Sequence, residues 1–344
     1  MNKTLKKIFE DDQADRTTNN IDWSIITPRD EKRRQVARKI LSSEVKLEGS
    51  DYYHAAMLFQ HGNMISEYKL AQKLSRKAAN MGYLPAKWLY TAATDRILVN
   101  QNKLQKFGTQ YRLDKNGIHH IESFDSKTTD LVRSKFNVPP LGKNLLRDSV
   151  WKEFYDSSLK SDVVWIGETH GVKENYQAYK IIIDFLSQNH AWEIAIEYPL
   201  NDQLPVNDGR VNRQSKTFQR KFKITHFFEG EISGQEREID MAKKISNLSF
   251  LKLIVITGSY HSQLRQQKSI KPAAQVFTEI TGKKVLTLGL AYFGGSFYNF
   301  GVKRFTKKHL HYSAQKFGVL EKSTQPLLTD KFWFNVGTAT PVDL

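Results

Sequence analysis

Val163-Val164-Trp165-Ile166-Gly167-Glu168-Thr169-His170 decides how this chain reads. The first four residues are apolar and β-branched or aromatic, the composition of a buried strand. Gly167 lacks a Cβ and tolerates the positive φ of a sharp turn. Glu168 and His170 then emerge at the carboxyl end of the strand, the edge along which open α/β sheets bind ligands. A carboxylate and an imidazole placed there can bind a metal or move a proton.

The spacing Gly-x-x-His occurs three times, at Gly167–His170, Gly258–His261 and Gly117–His120. With 19 Gly and 10 His in 344 residues, roughly half an occurrence arises by chance, so context has to separate the copies. The Gly117 copy sits in the polar turn Asp114-Lys115-Asn116-Gly117 with no strand before it. The Gly258 copy follows the buried-strand run Leu253-Ile254-Val255-Ile256-Thr257, and a third run, Trp192-Glu193-Ile194-Ala195-Ile196, ends in Glu197 and is stopped by Pro199. Glu168, His170, Glu197 and His261 therefore all fall at carboxyl ends of expected parallel strands, on one edge of one sheet.

Around these runs the pattern alternates. Strands are expected over 162–166, 192–197, 251–257 and 284–290, and helices over 173–188, 213–228, 236–248 and 272–281. Alternation at this spacing gives an α/β domain over residues 146–344, a mostly parallel sheet with flanking helices. Phe332-Trp333-Phe334-Asn335-Val336 reads as a last strand, antiparallel at an edge. Gly289 to Ser296 reads as a strand end followed by a Gly294-Gly295 loop that can wall the site; without a following Lys-Ser/Thr it is no phosphate-binding loop.

Residues 1–145 read differently, as a mainly helical domain with a small hairpin. Helices are expected over 52–62, 68–80 and 85–98, the last opened by Pro85. Alanine-rich helices separated by Gly suggest a helical hairpin of tetratricopeptide type, but no second full repeat follows. Asn116-Gly117 between short apolar runs signals a hairpin turn, and Pro139-Pro140-Leu141-Gly142 marks the linker. His54 and His61, seven residues apart, read as one packed helix face. Lys32-Arg33-Arg34 with Arg38 and Lys39 reads as a solvated helix face.

Composition excludes several chemistries. There is no cysteine, hence no disulfide, thiolate nucleophile, Cys-ligated zinc or iron–sulfur cluster. The N-terminus turns acidic at Glu10-Asp11-Asp12 before any apolar segment develops, unlike a signal peptide. No run approaches the ~18 apolar residues of a membrane span, and a cytoplasmic location is expected. The net charge of +16 is spread along the chain, with 26 Lys+Arg against 17 Asp+Glu in residues 1–148 and 26 against 19 after them. No nucleic-acid motif accompanies it; the expected partner is a small-molecule or peptide substrate.

Gly167-Glu168-Thr169-His170, Glu197 and Gly258-Ser259-Tyr260-His261, in this order and strand context, resemble the superfamily of ChaN, TraB/Tiki and erythromycin esterase over roughly residues 150–295. The resemblance implies either hydrolysis, metal-dependent in TraB/Tiki-like members and lactone-opening in the esterases, or haem binding as in ChaN. It places His170 and His261 at the motif histidines and Glu168 and Glu197 at the acidic positions. The esterases carry an extra residue between Glu and His, and an arginine in the following helix where this chain offers Gln177, Tyr179 and Lys180.

The N-terminal half resembles a bacterial domain of unknown function through Asp12-Gln13-Ala14-Asp15-Arg16, Asp95-Arg96, and Gln105 with Gly108-Thr109-Gln110. That family brings no chemistry with it; Asp95, Arg96, Gln105 and Gln110 form either a brace or a pocket.

The expectation is a hydrolase cleaving an ester or amide bond, with Glu168, His170, Glu197 and His261 as catalytic residues. The same four can hold Mn, Co, Fe or Zn and leave a position for water. Without metal, His170 is the base and Glu168 its orienter. The alternatives are a haem- or ligand-binding module using Tyr260, Tyr176 or Tyr198 as axial ligand, and a non-catalytic interaction protein.

Overall fold

The computed structural model describes residues 1–17, 21–198, 224–228, 232–266, 269–298, 302–306, 317–323 and 331–341. These form two compact units, Met1–Arg112 with Ile121–Asn144, and Leu113–His120 with Leu145–Leu344.

Unit 1 is built on five helices, α1 (Lys3–Ala14), α2 (Trp23–Leu41), α3 (Gly49–Gln60), α4 (Ile65–Asn80) and α5 (Pro85–Asn100). Their starts follow from local chemistry. Asn2 caps α1 by accepting the Leu5 amide at 3.0 Å, Asp22 caps α2 through Ser24, Glu48 and Asp51 form a capping box on α3, and Pro85 opens α5. Small residues at Ala55, Ala56, Ala71 and Ala93 let the helices approach closely around Leu58, Phe59, Leu74 and Leu89, all buried.

A hairpin of β1 (Tyr111–Leu113) and β2 (His119–Ile121) turns at Asn116-Gly117, where Asp114 accepts the amides of Asn116 and Ile118. Short helices α6 (Asp130–Lys135) and α7 (Leu141–Leu145) follow.

The Asp95 carboxylate accepts the amides of Lys106, Phe107 and Thr109 and the Thr109 hydroxyl. Gln105 bonds Gln110 at both main-chain groups and the Glu122 carbonyl. These two residues are a brace for the loop after α5.

After Leu145, unit 2 opens with α8 (Ser149–Leu159), capped by Asp148. Then come β3 (Val163–Glu168), α9 (Asn175–Leu186), β4 (Glu193–Tyr198), β5 (Ile224–Phe228), α10 (Gly234–Ser246), β6 (Leu253–Gly258), α11 (Ala273–Thr281), β7 (Val285–Tyr298), β8 (Val302–Arg304), β9 (Leu320–Lys322) and β10 (Phe332–Ala339). The sheet order is β5-β4-β6-β3-β7-β10-β9, with β8 paired to β7. Every neighbour along that order is parallel except β10 with β9.

The central strand β3 is buried on both faces, which explains its unbroken apolar run. On one face Trp165, Val163, Val255 and Leu253 pack against Met241, Ala242 and Ile245 of α10 and Ala274 and Phe277 of α11. Elsewhere Trp151 and Phe154 of α8 pack against Phe185 of α9 and against Phe332 and Phe334 of β10, mostly edge to face. The Trp165 indole N–H is satisfied by Thr257 at 2.9 Å.

Three expectations change, and one helix is new. Residues 224–228 are a strand rather than the end of a helix, since Ile224-Thr225-His226-Phe227-Phe228 is β-branched and aromatic; residues 213–223 lie outside the described ones, as does Pro199. β7 runs on through Gly294-Gly295 instead of stopping at 290, because β10 pairs with it as far as Gly295. β10 is parallel and internal, with β9 outside it. The helix α8 had no counterpart in the sequence reading. Among the described residues no helix is long and apolar enough to cross a membrane.

Candidate active site

The chain reverses its progress across the sheet at β3. It runs outward to β4 and β5, returns to place β6 between β4 and β3, then moves to β7 on the other side. The carboxyl ends of β3, β4 and β6 thus meet at a topological switch point, the crevice α/β sheets use for ligands.

Glu168 is the last residue of β3 and register partner of Gly258 on β6. Its Oε1 lies 2.6 Å from His170 Nδ1. Its Oε2 accepts from the Asn175 carboxamide and the Tyr179 hydroxyl of α9. Tyr292 of β7 extends the network, donating to Asn175 Oδ1 at 2.8 Å and accepting the Thr169 amide at 3.1 Å. Complete burial, and then the Glu168 charge, hold the Tyr292 phenol far above its usual range, so it stays a neutral donor.

A second pair has the same form. His261 Nδ1 lies 2.8 Å from Oε2 of Glu238 on α10, and the same oxygen accepts the amide of Ala273 at 2.8 Å. The other nitrogens of the two rings face one carboxylate. Glu197, 1% exposed, lies 3.7 Å from His170 Nε2 and 3.9 Å from His261 Nε2. Both separations exceed a hydrogen bond. Glu197 is fixed by the Gly258 amide at 2.8 Å and is approached by Arg237 Nη2 at 3.3 Å. Gly258 lies between the rings: a Cβ there would sit 3.1 Å from His170 Nε2 and 3.4 Å from His261 Cδ2.

All four expected catalytic residues are on one edge, but not as four equal donors. Glu168 is turned to the far nitrogen of His170 and to α9. His170, His261 and Glu197 share one space. As they stand they do not make a metal-holding group of three or more, nor does any other set among the described residues.

Gly167 is needed for a different reason from the expected turn. It stays extended in β3, and the positive φ falls at Gly171. A Cβ on Gly167 would meet Ser262 Oγ at 2.2 Å, so its absence lets the His261 loop close onto β3.

Tyr260 donates its hydroxyl to the Ile270 carbonyl at 2.7 Å and sets its ring edge-on to His261. Burial, then the Glu238 charge, raise its phenol above the usual range. Tyr176 is in the first turn of α9; the side chain of Tyr198 is outside the described atoms.

Sequence reasoning missed Glu238, Arg237 and Asn175, and gave Tyr179 and Tyr292 no part in the carboxylate network. A signal for Glu238 was present: it precedes Met241, Ala242 and Ile245 at i+3, i+4 and i+7, on the buried stripe of α10. An acidic residue there must find a partner.

Comparison with protein-family models, with curated proteins and with solved structures finds no match for this chain. The site therefore rests on its geometry.

Proposed function

We propose that unit 2 is a hydrolase that cleaves an ester or amide bond at the Glu197 cluster. The observation that supports this is the pair of carboxylate-backed imidazoles whose Nε2 atoms face one buried glutamate from either side. In each pair the carboxylate fixes ring orientation and the proton on Nδ1, leaving Nε2 for chemistry.

His170 is the more open ring, 28% exposed against 10% for His261, and is assigned as the base. Its Nε2 takes a proton from water as the water oxygen attacks the substrate carbonyl carbon, and Glu168 balances the charge on the ring. His261, protonated and backed by Glu238, gives a proton from Nε2 to the leaving alkoxide or amine as the carbon–oxygen or carbon–nitrogen bond breaks. Arg237 is the cation beside the developing oxyanion. A divalent ion, if bound by His170, His261 and Glu197, would acidify water in the same space.

The test is a panel of chromogenic esters and anilides with the purified full chain. One arm is chelated, one supplemented with Mn, Co, Fe or Zn, and one mixed with haemin and read for a Soret band. Turnover that survives chelation supports acid–base hydrolysis, and turnover only with metal supports the assisted form. A stoichiometric Soret band without turnover in any arm contradicts the proposal.

A further inference from the structure

Unit 1 holds a further imidazole–carboxylate pair that the hydrolase reading does not use. His61 is not part of a packed helix face. It follows the end of α3, and its Nδ1 lies 2.9 Å from Asp12 Oδ2 of α1. His54, by contrast, stacks on Phe9 at 4.6 Å and is packing. Four helices, α1, α2, α4 and α5, deliver side chains to Gln60-His61-Gly62. Asp12 comes from α1, with Arg16 just beyond it at 2.9 Å from Asp12 Oδ1. Arg34 of α2 approaches the His61 carbonyl at 3.5 Å. Tyr68 of α4 donates to the Gly62 carbonyl at 2.9 Å. Arg96 of α5 donates to the Gln60 carbonyl, which ends α3, and to Gln110 Oε1.

The charges in this cluster are unevenly matched. Arg16 pairs with Asp12 and Asp30, Arg33 with Asp15 and Asp30, and Arg34 with Glu67, so Arg33 and Arg34 belong to an ion-pair network, while Lys32, Arg38 and Lys39 of the same run stay exposed. Arg96 has no carboxylate partner among the described residues. Burial, with the like charge of Arg16 added, pushes it below its usual range. A cation taken out of water without a counter-ion is costly. The hydrogen bonds of these side chains use His61 Nδ1 and Arg96 Nε and Nη1, and both residues are half-buried. The buried Gln60 Oε1 has no partner among the described residues.

We propose that this cluster is a ligand site for an oxyanion, the phosphate or carboxylate group of a small molecule, held by Arg96 and His61 with Asp12 fixing the imidazole. The bound anion supplies the missing counter-charge of Arg96, and Nε2–H of His61 donates to a second oxygen of the same group. Guanidinium and imidazole donors to an oxyanion make charge-assisted bonds, stronger than neutral ones. The site uses residues of unit 1 alone and stands or falls independently of hydrolysis in unit 2.

The experiment is a titration of the full chain, labelled with ¹⁵N-histidine, with sodium phosphate and separately with sodium acetate, at ionic strength held constant with chloride. The His61 signal is identified by its loss in His61→Gln. The expected result is a saturable shift of that signal with one anion, which names the ligand group as phosphate or carboxylate, and an apparent Kd raised at least about tenfold in Arg96→Gln. An unmoved or unsaturable His61 signal with both anions overturns the proposal, as does an unchanged Kd in Arg96→Gln. If Arg96→Gln does not fold, the wild-type titration alone decides.

Discussion

The two imidazole–carboxylate pairs of unit 2 are the same chemical device made in two ways. In Glu168–His170 the partners are two residues apart at the end of one strand, and the carboxylate is held by Asn175 and Tyr179 of the next helix. In Glu238–His261 they are 23 residues apart, and a helix on the face of the sheet reaches over to a loop beyond the next strand. One pair is fixed by local chain geometry, the other only when α10 has packed. The second histidine's orientation is thus a product of tertiary folding, and its carboxylate is invisible to a search for short motifs.

That comparison is exposed to several substitutions. The largest effect is expected at His170→Ala, which should lower kcat/KM for a cleaved ester by about 10²–10⁴ if it is the general base. His261→Ala falling much further than His170→Ala would reverse the assigned roles. Next come the carboxylates. Glu238→Gln and Glu168→Gln should each lose about 10–100-fold, the range seen when a group orienting a functional histidine is removed. Full activity in Glu238→Gln, measured by initial rates, would mean that the tertiary pair is only packing.

A structural substitution sharpens the contrast further. Gly167→Ala forces a Cβ onto Ser262 and should destabilise the chain by about 1–3 kcal/mol, read from denaturant midpoints. Ser262→Ala in the same chain should recover part of it, because the 2.2 Å contact is with Oγ. No recovery would place the strain elsewhere.

The smallest effect concerns the pair in unit 1. Burial raises the Asp12 carboxyl, but the His61 hydrogen bond and charge, with Arg16, outweigh it and hold it below its usual range. A depressed carboxylate contributes stability above its unfolded value of about 4 and loses it as pH falls through the folded value. Thermal melts of the wild type should therefore drop on acidification below about pH 4. Asp12→Asn should start lower at neutral pH and lose less. Parallel pH curves for the two chains would show that Asp12 is not the group that titrates.

Much of the fold was legible because its sheet is parallel and buried: apolar runs such as 163–166 and 253–257 can hardly be anything else. The chain order also placed Glu168, His170, Glu197 and His261 on one edge. What stayed hidden depends on packing. Glu168 reads as one more donor until Asn175 and Tyr179 turn it away from the shared space. Gly167 reads as a turn residue until Ser262 is seen against it. Arg33 and Arg34 read as a solvated face until Asp15, Asp30 and Glu67 arrive from the C-terminal cap of α1, α2 itself and α4. The edge position expected for Phe332–Val336 failed because β9, a three-residue strand, carries little periodic signal of its own.

The central claim is that two imidazoles, each backed by its own carboxylate, act together on one substrate at Glu197. The direct measurement is kcat/KM for wild type, His170→Ala, His261→Ala and the double variant on one cleaved ester. Groups that act as a unit are strongly non-additive. The account predicts that the double variant is no slower than the worse single one, within a few-fold. A double loss equal to the product of the single losses, or a His170→Ala chain as active as wild type, would contradict it.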